Sequence, residues 1–429
     1  MLDRTVQPPI KTLEDFSIQS PQRLVLANGV PLNVLNIGDK ASVRVDFVFE
    51  AGRWQQHQPL QALFTNSMLR EGTQSLSAAQ IAEKLDFYGA WLDLSVSSHH
   101  AFVTLYTLQK YLPPTLDVLQ SMLFEPVFPE KELGIVVATN LQQYLMSQKK
   151  TDVLARRLLL KTLYGTEHPF GWQVTPDDYL RITSEVVHRF FQKFYRKGEC
   201  AIFLSGCVTE QCVQMIASRF GNESFIDQSP SSSVEKRVTI TDSQKQFFVE
   251  QPDASQSSVL MGMLSLGSSH PDFLGLRVLL TLFGGYFGSR LMSNIREEKG
   301  YTYSIAAGIA PDTDNSLLLI QAETAPEYVR PLIVEVYREI DRVQQDLVSE
   351  EELNLVKNYM IGDMCRNYES AFSVSDAWIF AHTLQLPDTH FSDFFHVIKR
   401  ITPAQIRSLA QQYLCKENLK EVVSGKKMV

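Results

Sequence analysis

The stretch FGSRLMSNIREEKGYTYSI, residues 287–305, places an arginine and a tyrosine where both could act on a peptide. Gly300 lies between Arg296 and Tyr303 and predicts the end of a helix, so that Tyr303 begins the next strand. At such a corner both side chains can point into one cleft and donate hydrogen bonds to a peptide carbonyl or its developing oxyanion. The alternative is a solvated helix end followed by an ordinary strand tyrosine.

The remaining candidate residues do not form a metal or nucleophile motif. Metallohydrolases often hold their metal with two histidines four residues apart on one helix, and none of the nine histidines has that spacing. His99 and His100 are adjacent, so on a strand they would point to opposite faces. Cys207 has no visible base partner, and the glycine-rich stretch 283–290 lacks the lysine of a phosphate-binding loop. We therefore predict no metal ligand and no catalytic residue that acts on its own.

A sequence repeat indicates the elements that must position these residues. Three pairs of segments match at an offset of about 220 residues: 179–195 with 398–414, 128–133 with 348–353, and 111–119 with 328–336. The first pair carries Arg-Ile-Thr in both copies, and threonine is a common helix N-cap. A chance likeness between amphipathic helices is the alternative.

The repeat predicts two domains and a linker. We place the N-terminal domain at residues 1–220 and the C-terminal domain at 241–429. The segment between them, 221–240, is rich in serine, asparagine and proline, which is typical of a linker.

Strands precede long helices within each half. Residues 90–108 and 303–324 each alternate polar and apolar side chains on both sides of a turn, as β-hairpins do. We therefore predict an α+β fold of two homologous α/β halves, each a mainly antiparallel sheet with helices packed on one face.

Composition and charge exclude several classes of protein. The 429 residues carry a net charge of -8, and no basic tract is present, so we expect no nucleic-acid partner. The N-terminus lacks the apolar core of a signal peptide, and no apolar run reaches the length of about 18 residues that spans a membrane. We expect no membrane partner and a cytoplasmic location.

Several motifs together resemble one peptidase family. The stretches stand in the family's order and approximate spacing: LANGVPLNVL (26–35), AGR (51–53), REGT (70–73), HPFG (168–171) and GGYFGSRLMSNIREEKGYTYSI (284–305). The chain is similar to the pitrilysin/insulinase-like zinc metallopeptidases, in the two-domain branch that includes mitochondrial processing peptidase. The last stretch is highly specific, and the family's duplicated α/β halves agree with the repeat.

The resemblance also implies that the zinc site is lost. Active members carry an HxxEH motif shortly before a Gly-Thr pair, and counting back from Gly72 places the motif positions on Leu63, Asn66 and Ser67. The third ligand, a glutamate in the family, falls on or near Asn140. None of these four side chains can replace the imidazole or carboxylate that the family uses.

By contrast, the family's substrate-binding arginine and tyrosine fall on Arg296 and Tyr303. Some members divide the work between two chains, one with HxxEH and one without zinc that keeps this pair. The resemblance therefore implies a non-catalytic pseudo-peptidase subunit that binds no cofactor itself. It would act on a peptide substrate in a heterodimer with an HxxEH-bearing subunit that holds zinc, and it could form a homodimer in isolation. The alternatives are a structural or peptide-binding scaffold without a peptidase role, and an enzyme active alone through unfamiliar ligands.

Overall fold

The computed structural model describes residues 5–6, 13–38, 41–222, 225–227 and 243–427. Their strands are β1 (Gln22–Val25), β2 (Pro31–Asn36), β3 (Ser42–Phe49), β4 (Trp91–Val96), β5 (Ala101–Leu108), β6 (Cys200–Gly206), β7 (Gln246–Glu250), β8 (Ser257–Ser265), β9 (Thr302–Ala310), β10 (Ser316–Thr324) and β11 (Lys420–Gly425).

The α-helices of the first half are α1 (Gln61–Ser67), α2 (Ala78–Phe87), α3 (Leu112–Phe124), α4 (Glu130–Ser147), α5 (Thr151–Tyr164), α6 (Pro176–Leu180), α7 (Ser184–Phe194) and α8 (Glu210–Phe220). Those of the second half are α9 (Phe273–Leu280), α10 (Val329–Gln345), α11 (Glu350–Asn367), α12 (Ala371–Thr383), α13 (His390–Arg400) and α14 (Pro403–Tyr413). Two π-helical segments, Thr281–Gly285 and Met292–Glu298, follow α9. In the described part of the chain, no helix is both long and apolar enough to cross a membrane.

The strands form two sheets with the same topology. The first has the order β1-β2-β6-β3-β5-β4 and the second the order β7-β11-β8-β10-β9. Each sheet has one parallel pair, β2 with β6 and β7 with β11, and its other neighbours are antiparallel. Apart from β1, the second order repeats the first when strands are matched along the chain. The predicted α+β fold of two homologous, mainly antiparallel halves is confirmed.

The helices predicted from the repeat also occur in pairs. α4 and α11 both have 18 residues, and α7 and α14 both have 11. α7 begins after Thr183 and α14 after Thr402. Each threonine hydroxyl accepts a hydrogen bond from the backbone N–H of the residue three positions later, as N-caps do. The predicted linker, 221–240, lies mostly outside the described residues, so the domain boundaries stay a prediction.

Each sheet exchanges one covering helix with the other half. α5, from the first half, packs Leu159 and Leu163 on Leu260 and Val422 of the second sheet. Gly262 on β8 permits this close approach, because a Cβ atom there would lie 2.8 Å from Cδ2 of Leu159. The two halves therefore share this hydrophobic cluster.

α12, from the second half, covers the first sheet in return. Its residues Val374 and Trp378 pack with Leu35, Val48 and Phe203. The expectation of helices on one face of each sheet was wrong, because the other face is covered by a helix distant in sequence. Coverage on both faces also explains why β6 and β11 are buried along their whole length.

A buried arginine joins α12 to the first sheet. The Arg44 side chain on β3 is 2% exposed, and its Nε lies 2.8 Å from Oδ2 of Asp46. Its Nη2 lies 2.6 Å from Oδ1 of Asp376 on α12. Thr104 donates a further hydrogen bond to Asp46. Buried charges of this kind are tolerated only when they are paired.

A cavity of about 700 Å³ lies where the first sheet, α12 and the β9–β10 turn meet. His99 and His100 line it from the β4–β5 turn. Nε2 of His99 lies 2.8 Å from Oδ2 of Asp312, so this contact joins the hairpin turns of the two halves. Burial, and then the charges of His382 and His99, lower the pKa of His100 to about 3.

The lowered pKa of His100 predicts a loss of stability in mild acid. An imidazole that stays neutral in the folded protein but protonates in the unfolded chain contributes stability above pH 6.5, its unfolded pKa. That contribution is lost as the pH falls below this value. Between pH 7 and pH 5, the free energy of unfolding should fall by about 1–2 kcal/mol more in the wild type than in His100→Gln. Denaturant titrations at both pH values measure this, and equal losses would contradict it.

Candidate functional site

The three positions of the expected zinc motif lie on α1. Leu63 and Ser67 are four residues apart on this helix and share a face, and Asn66 lies beside that face. Leu63 is 37% exposed, whereas Asn66 is 1% exposed. The sequence therefore keeps the helix of a metal site but presents an alkyl group where a first ligand would stand.

The amide of Asn66 is fully committed to holding the fold. Its Nδ2 donates to the backbone oxygens of Ser95, at 2.9 Å, and Phe102, at 3.2 Å. Its Oδ1 accepts a hydrogen bond of 3.0 Å from the hydroxyl of Tyr195. Asn66 thus ties α1 to the β4–β5 hairpin and to the end of α7, and at 1% exposure its amide is not presented to a substrate or metal.

Replacing Asn66 with Asp should therefore destabilise the protein. The carboxylate cannot donate to the oxygens of Ser95 and Phe102, and it buries a charge opposite two acceptors. We expect a loss of at least about 2 kcal/mol in the free energy of unfolding at pH 7. Asn140→Asp is the matched control, because that side chain is half-exposed. Equal stability of the wild type and Asn66→Asp in urea titrations would contradict the structural role.

The cavity beside Leu63 has the wrong chemistry for a divalent metal. It has a volume of about 500 Å³, and Leu63, Tyr144 and Trp172 are among the residues that line it. Two positively charged side chains, Arg53 and Arg157, line it. The lining contains no acidic side chain, histidine or cysteine. Zinc takes imidazole, carboxylate or thiolate ligands, and none of these groups is present in the lining. The two guanidinium groups would also repel a metal cation electrostatically.

Arg157 is fixed in that cavity by neutral partners. Its guanidinium donates to the hydroxyl of Tyr144, at 3.1 Å, to the side-chain oxygen of Gln148 and to the backbone oxygen of Val174, at 2.6 Å. Its cationic charge is therefore held in the same cavity as Leu63.

The candidate third ligand does not reach this cavity. Asn140 lies on α4, and its Nδ2 donates to the backbone oxygen of Val136 in the same helix, at 2.9 Å. No cluster of three or more histidine, cysteine, aspartate or glutamate side chains with metal-binding geometry occurs among the described residues. The residues present do not fit a zinc ion.

Arg296 lies where the sequence predicts, at the end of a helical segment before β9. The segment Met292–Glu298 is π-helical, and Gly300 ends it with a φ of 66°, which glycine adopts readily. The guanidinium carbon of Arg296 lies 4.5 Å from the ring centre of Phe287, and Oε1 of Glu297 lies 3.8 Å from Nη1. Because Phe287 is itself 63% exposed, the cation is presented at the surface.

Tyr303, the second residue of β9, is 87% exposed. Its hydroxyl makes no hydrogen bond within the described part of the chain. It lines a cavity of about 400 Å³ on the α5 face of the second sheet, with Asp152, Gln256, Gln321 and Glu323. The hydroxyl is therefore free to donate to a ligand.

Arg296 does not line the cavity of Tyr303. The two residues lie on either side of the turn at Gly300, and the structure does not bring them together in one cavity. The role of the pair in substrate binding stays a prediction. The start of α5 lies between the two candidate regions, because Asp152 lines the Tyr303 cavity and Val153 lines the Leu63 cavity.

A buried polar cluster, which the sequence motifs alone do not reveal, anchors the Arg296 segment. Asn294, two residues earlier, donates to Glu335 at 3.2 Å and to Glu339 at 2.6 Å, and both acceptors are buried on α10. Arg338 and Arg342 neutralise these carboxylates from the solvent side, at 2.5 Å each. The sequence does contain a signal for this cluster, because Glu335 and Glu339 lie four residues apart on the apolar face of α10.

Comparison with known proteins agrees with this fold. The family model described as insulinase (peptidase family M16) matches residues 38–170, and the model of the peptidase M16 inactive domain matches residues 181–360. An uncharacterized zinc protease of Bacillus subtilis, YmxG, is 23% identical over 356 residues, which cover 82% of this chain and 85% of that protein.

Solved structures have the same fold. The crystal structure of a peptidase M16 inactive domain from Pseudomonas fluorescens has a TM-score of 0.86 and 22% identity, and the match covers 95% of this chain and 99% of that one. A protease from Helicobacter pylori has a TM-score of 0.85 and 16% identity, with 94% and 99% covered. With two family models that together match most of its length, the chain belongs to peptidase family M16, the insulinase family.

Proposed function

We propose that this chain is the non-catalytic subunit of a heterodimeric zinc metallopeptidase. One observation carries the proposal: none of the α1 motif positions carries a zinc ligand, while Arg296 is partly exposed and Tyr303 largely so. Leu63 and the committed amide of Asn66 stand at the motif positions, and two arginines line the adjacent cavity. The free hydroxyl of Tyr303 stands beside a cavity.

In the proposed complex, the other subunit supplies zinc, the attacking water and the general base. This chain supplies two hydrogen-bond donors. Arg296 carries a permanent positive charge and can donate to a substrate carbonyl or its oxyanion, and Tyr303 can donate its phenolic proton to the same backbone. Because the guanidinium of Arg296 rests on Phe287 and not on a buried carboxylate, it can turn towards a peptide at little energetic cost.

The partner we expect is a chain of similar length that carries HxxEH. Affinity capture of this protein from a native extract, followed by mass spectrometry and zinc analysis, tests the expectation. A stoichiometric complex with one zinc ion per pair supports the proposal. Recovery of the chain only as a homodimer, or only with proteins that lack a peptidase motif, would support a structural or peptide-binding scaffold instead. A cytoplasmic location is part of the proposal, and cell fractionation in the same experiment tests it.

A further inference from the structure

A separate cavity of about 280 Å³ lies between α9, α11 and β9 in the second half. It adjoins Ala307, Gly308 and Ile309 of β9. The cavity is smaller than the 300–1,000 Å³ typical of drug-sized ligand sites, and it therefore suits a group of a few heavy atoms.

The notable residue of this cavity is Arg277 on α9. Its guanidinium carbon lies 4.0 Å from the ring centre of Phe394, and the group makes no ion pair or side-chain hydrogen bond with any described residue. Burial lowers the pKa of Arg277, and the nearby Tyr368 and Asp363 only partly oppose this. An arginine keeps its charge at neutral pH even so, which leaves a cation without an ion-pair partner at the cavity wall.

The one acidic side chain of the cavity does not neutralise Arg277. Oδ1 of Asp363 lies 2.5 Å from Nη2 of Arg366, and its Oδ2 accepts from Nδ2 of Asn367 at 2.8 Å. Its two oxygens are therefore held by neighbours on α11. A partly desolvated charge without a partner is unfavourable, and a bound anion would relieve that penalty.

One part of the cavity wall indicates the kind of anion. Aliphatic and thioether side chains line that part: Leu280, Ala307, Ile309, Met360 and Met364. Polar side chains line the remainder: Thr281, Tyr359, Asn367 and Tyr368. A planar guanidinium matches a carboxylate through two parallel hydrogen bonds, and the apolar part of the wall favours an alkyl group attached to it.

We propose that this cavity binds a carboxylate carried on a small apolar group, with Arg277 as the anchoring residue. Two sources share this chemistry, the C-terminus of a peptide that ends in an aliphatic residue and a free aliphatic acid. The proposal concerns the isolated chain and does not depend on a partner subunit or on Arg296.

Titration calorimetry on the full chain with three probes tests the proposal. The probes are N-acetyl-Ala-Leu, the same dipeptide with an amidated C-terminus, and 4-methylpentanoate. We expect the acid to bind at least about tenfold more tightly than the amide, because the amide loses a charge-assisted hydrogen bond. Stronger binding of the dipeptide acid than of 4-methylpentanoate identifies a peptide terminus, and the reverse order identifies a free acid.

Variants assign the effect to Arg277. Arg277→Gln should abolish the preference for acid over amide, and Arg277→Lys should retain part of it because the charge remains. Arg330→Gln, on an exposed arginine of α10, is the matched control and should bind as the wild type does. If the wild type binds acid and amide equally or binds neither, the proposal is wrong. A preference that survives in folded Arg277→Gln overturns it as well, and should that variant not fold, the acid-to-amide ratio of the wild type and Arg277→Lys decides.

Discussion

Arg296→Ala and Tyr303→Phe, each made in this chain and assayed with a wild-type zinc-bearing partner, should lower kcat by about 10²–10³ fold, the loss typical of removing one oxyanion donor. The structure supports a large effect, because neither side chain is engaged in holding the fold. Tyr303 is 87% exposed, and Arg296 rests on an exposed phenylalanine ring. Peptide hydrolysis under saturating substrate is the measurement.

Two nearby substitutions provide matched controls for that experiment. Arg330→Ala and Tyr328→Phe alter exposed side chains at the start of α10, and Tyr328→Phe keeps the ring that stacks on Tyr301 beside the Gly300 turn. They should leave turnover at the wild-type level. Thermal unfolding of all four variants should stay close to that of the wild type, which separates a loss of chemistry from a loss of fold. Full turnover in both Arg296→Ala and Tyr303→Phe would remove these residues from the proposed site.

Arg44→Met should give the largest loss of stability, about 3–5 kcal/mol, because it leaves a buried carboxylate without its cation. Methionine retains packing against the rings of Tyr106 and Phe372, which both lie 5.6 Å from the guanidinium carbon. Burial raises the pKa of Asp46, and the charge of Arg44 opposes that rise. Without the arginine, the pKa of Asp46 should rise further, so the stability difference between variant and wild type should shrink in acid as Asp46 protonates.

Asp376→Asn is the matched control for Arg44→Met. The side chain of Asp376 is 66% exposed, so removing its charge should cost only about 0–1 kcal/mol. Denaturant titrations at pH 7 and pH 5 compare the three proteins. An Arg44→Met protein as stable as Asp376→Asn would show that the buried pair contributes little.

The sequence predicted the duplicated architecture because the repeat preserves local signals. Thr183 and Thr402 are N-caps in both halves, and hydrophobic periodicity marks the helices that follow them. The two hairpins could be predicted for the same reason, because the alternation of polar and apolar residues along two consecutive strands is a local property of the sequence. Gly300 likewise identified the turn between Arg296 and Tyr303.

The exchange of α5 and α12 between the halves could not be predicted in the same way. Leu159 and Trp378 belong to helices whose own periodicity does not say which sheet they cover. The tight fit at Gly262 and the ion pair between Arg44 and Asp376 help to fix that choice, and both join residues far apart in sequence. Such contacts depend on tertiary packing, which one sequence does not reveal.

The sequence indicated which residues belong to the candidate site, but it did not indicate what surrounds them. The identities of Leu63 and Asn66 were enough to question zinc binding, since neither side chain has suitable chemistry. The sequence did not indicate that Asn66 holds three elements together, or that Arg53 and Arg157 line the adjacent cavity. These contacts make the poor fit to zinc a property of the whole cavity and not of three positions alone.

The most direct test of the central claim is peptidase activity after mixing purified chains. This protein and an HxxEH-bearing partner are assayed separately and together on a fluorogenic peptide, with zinc measured in each preparation. We predict that this chain alone contains no stoichiometric zinc and cleaves nothing, and that the mixture cleaves with one zinc ion per pair. Stoichiometric zinc with cleavage by this chain alone, or a partner whose activity the chain does not change, would contradict the claim.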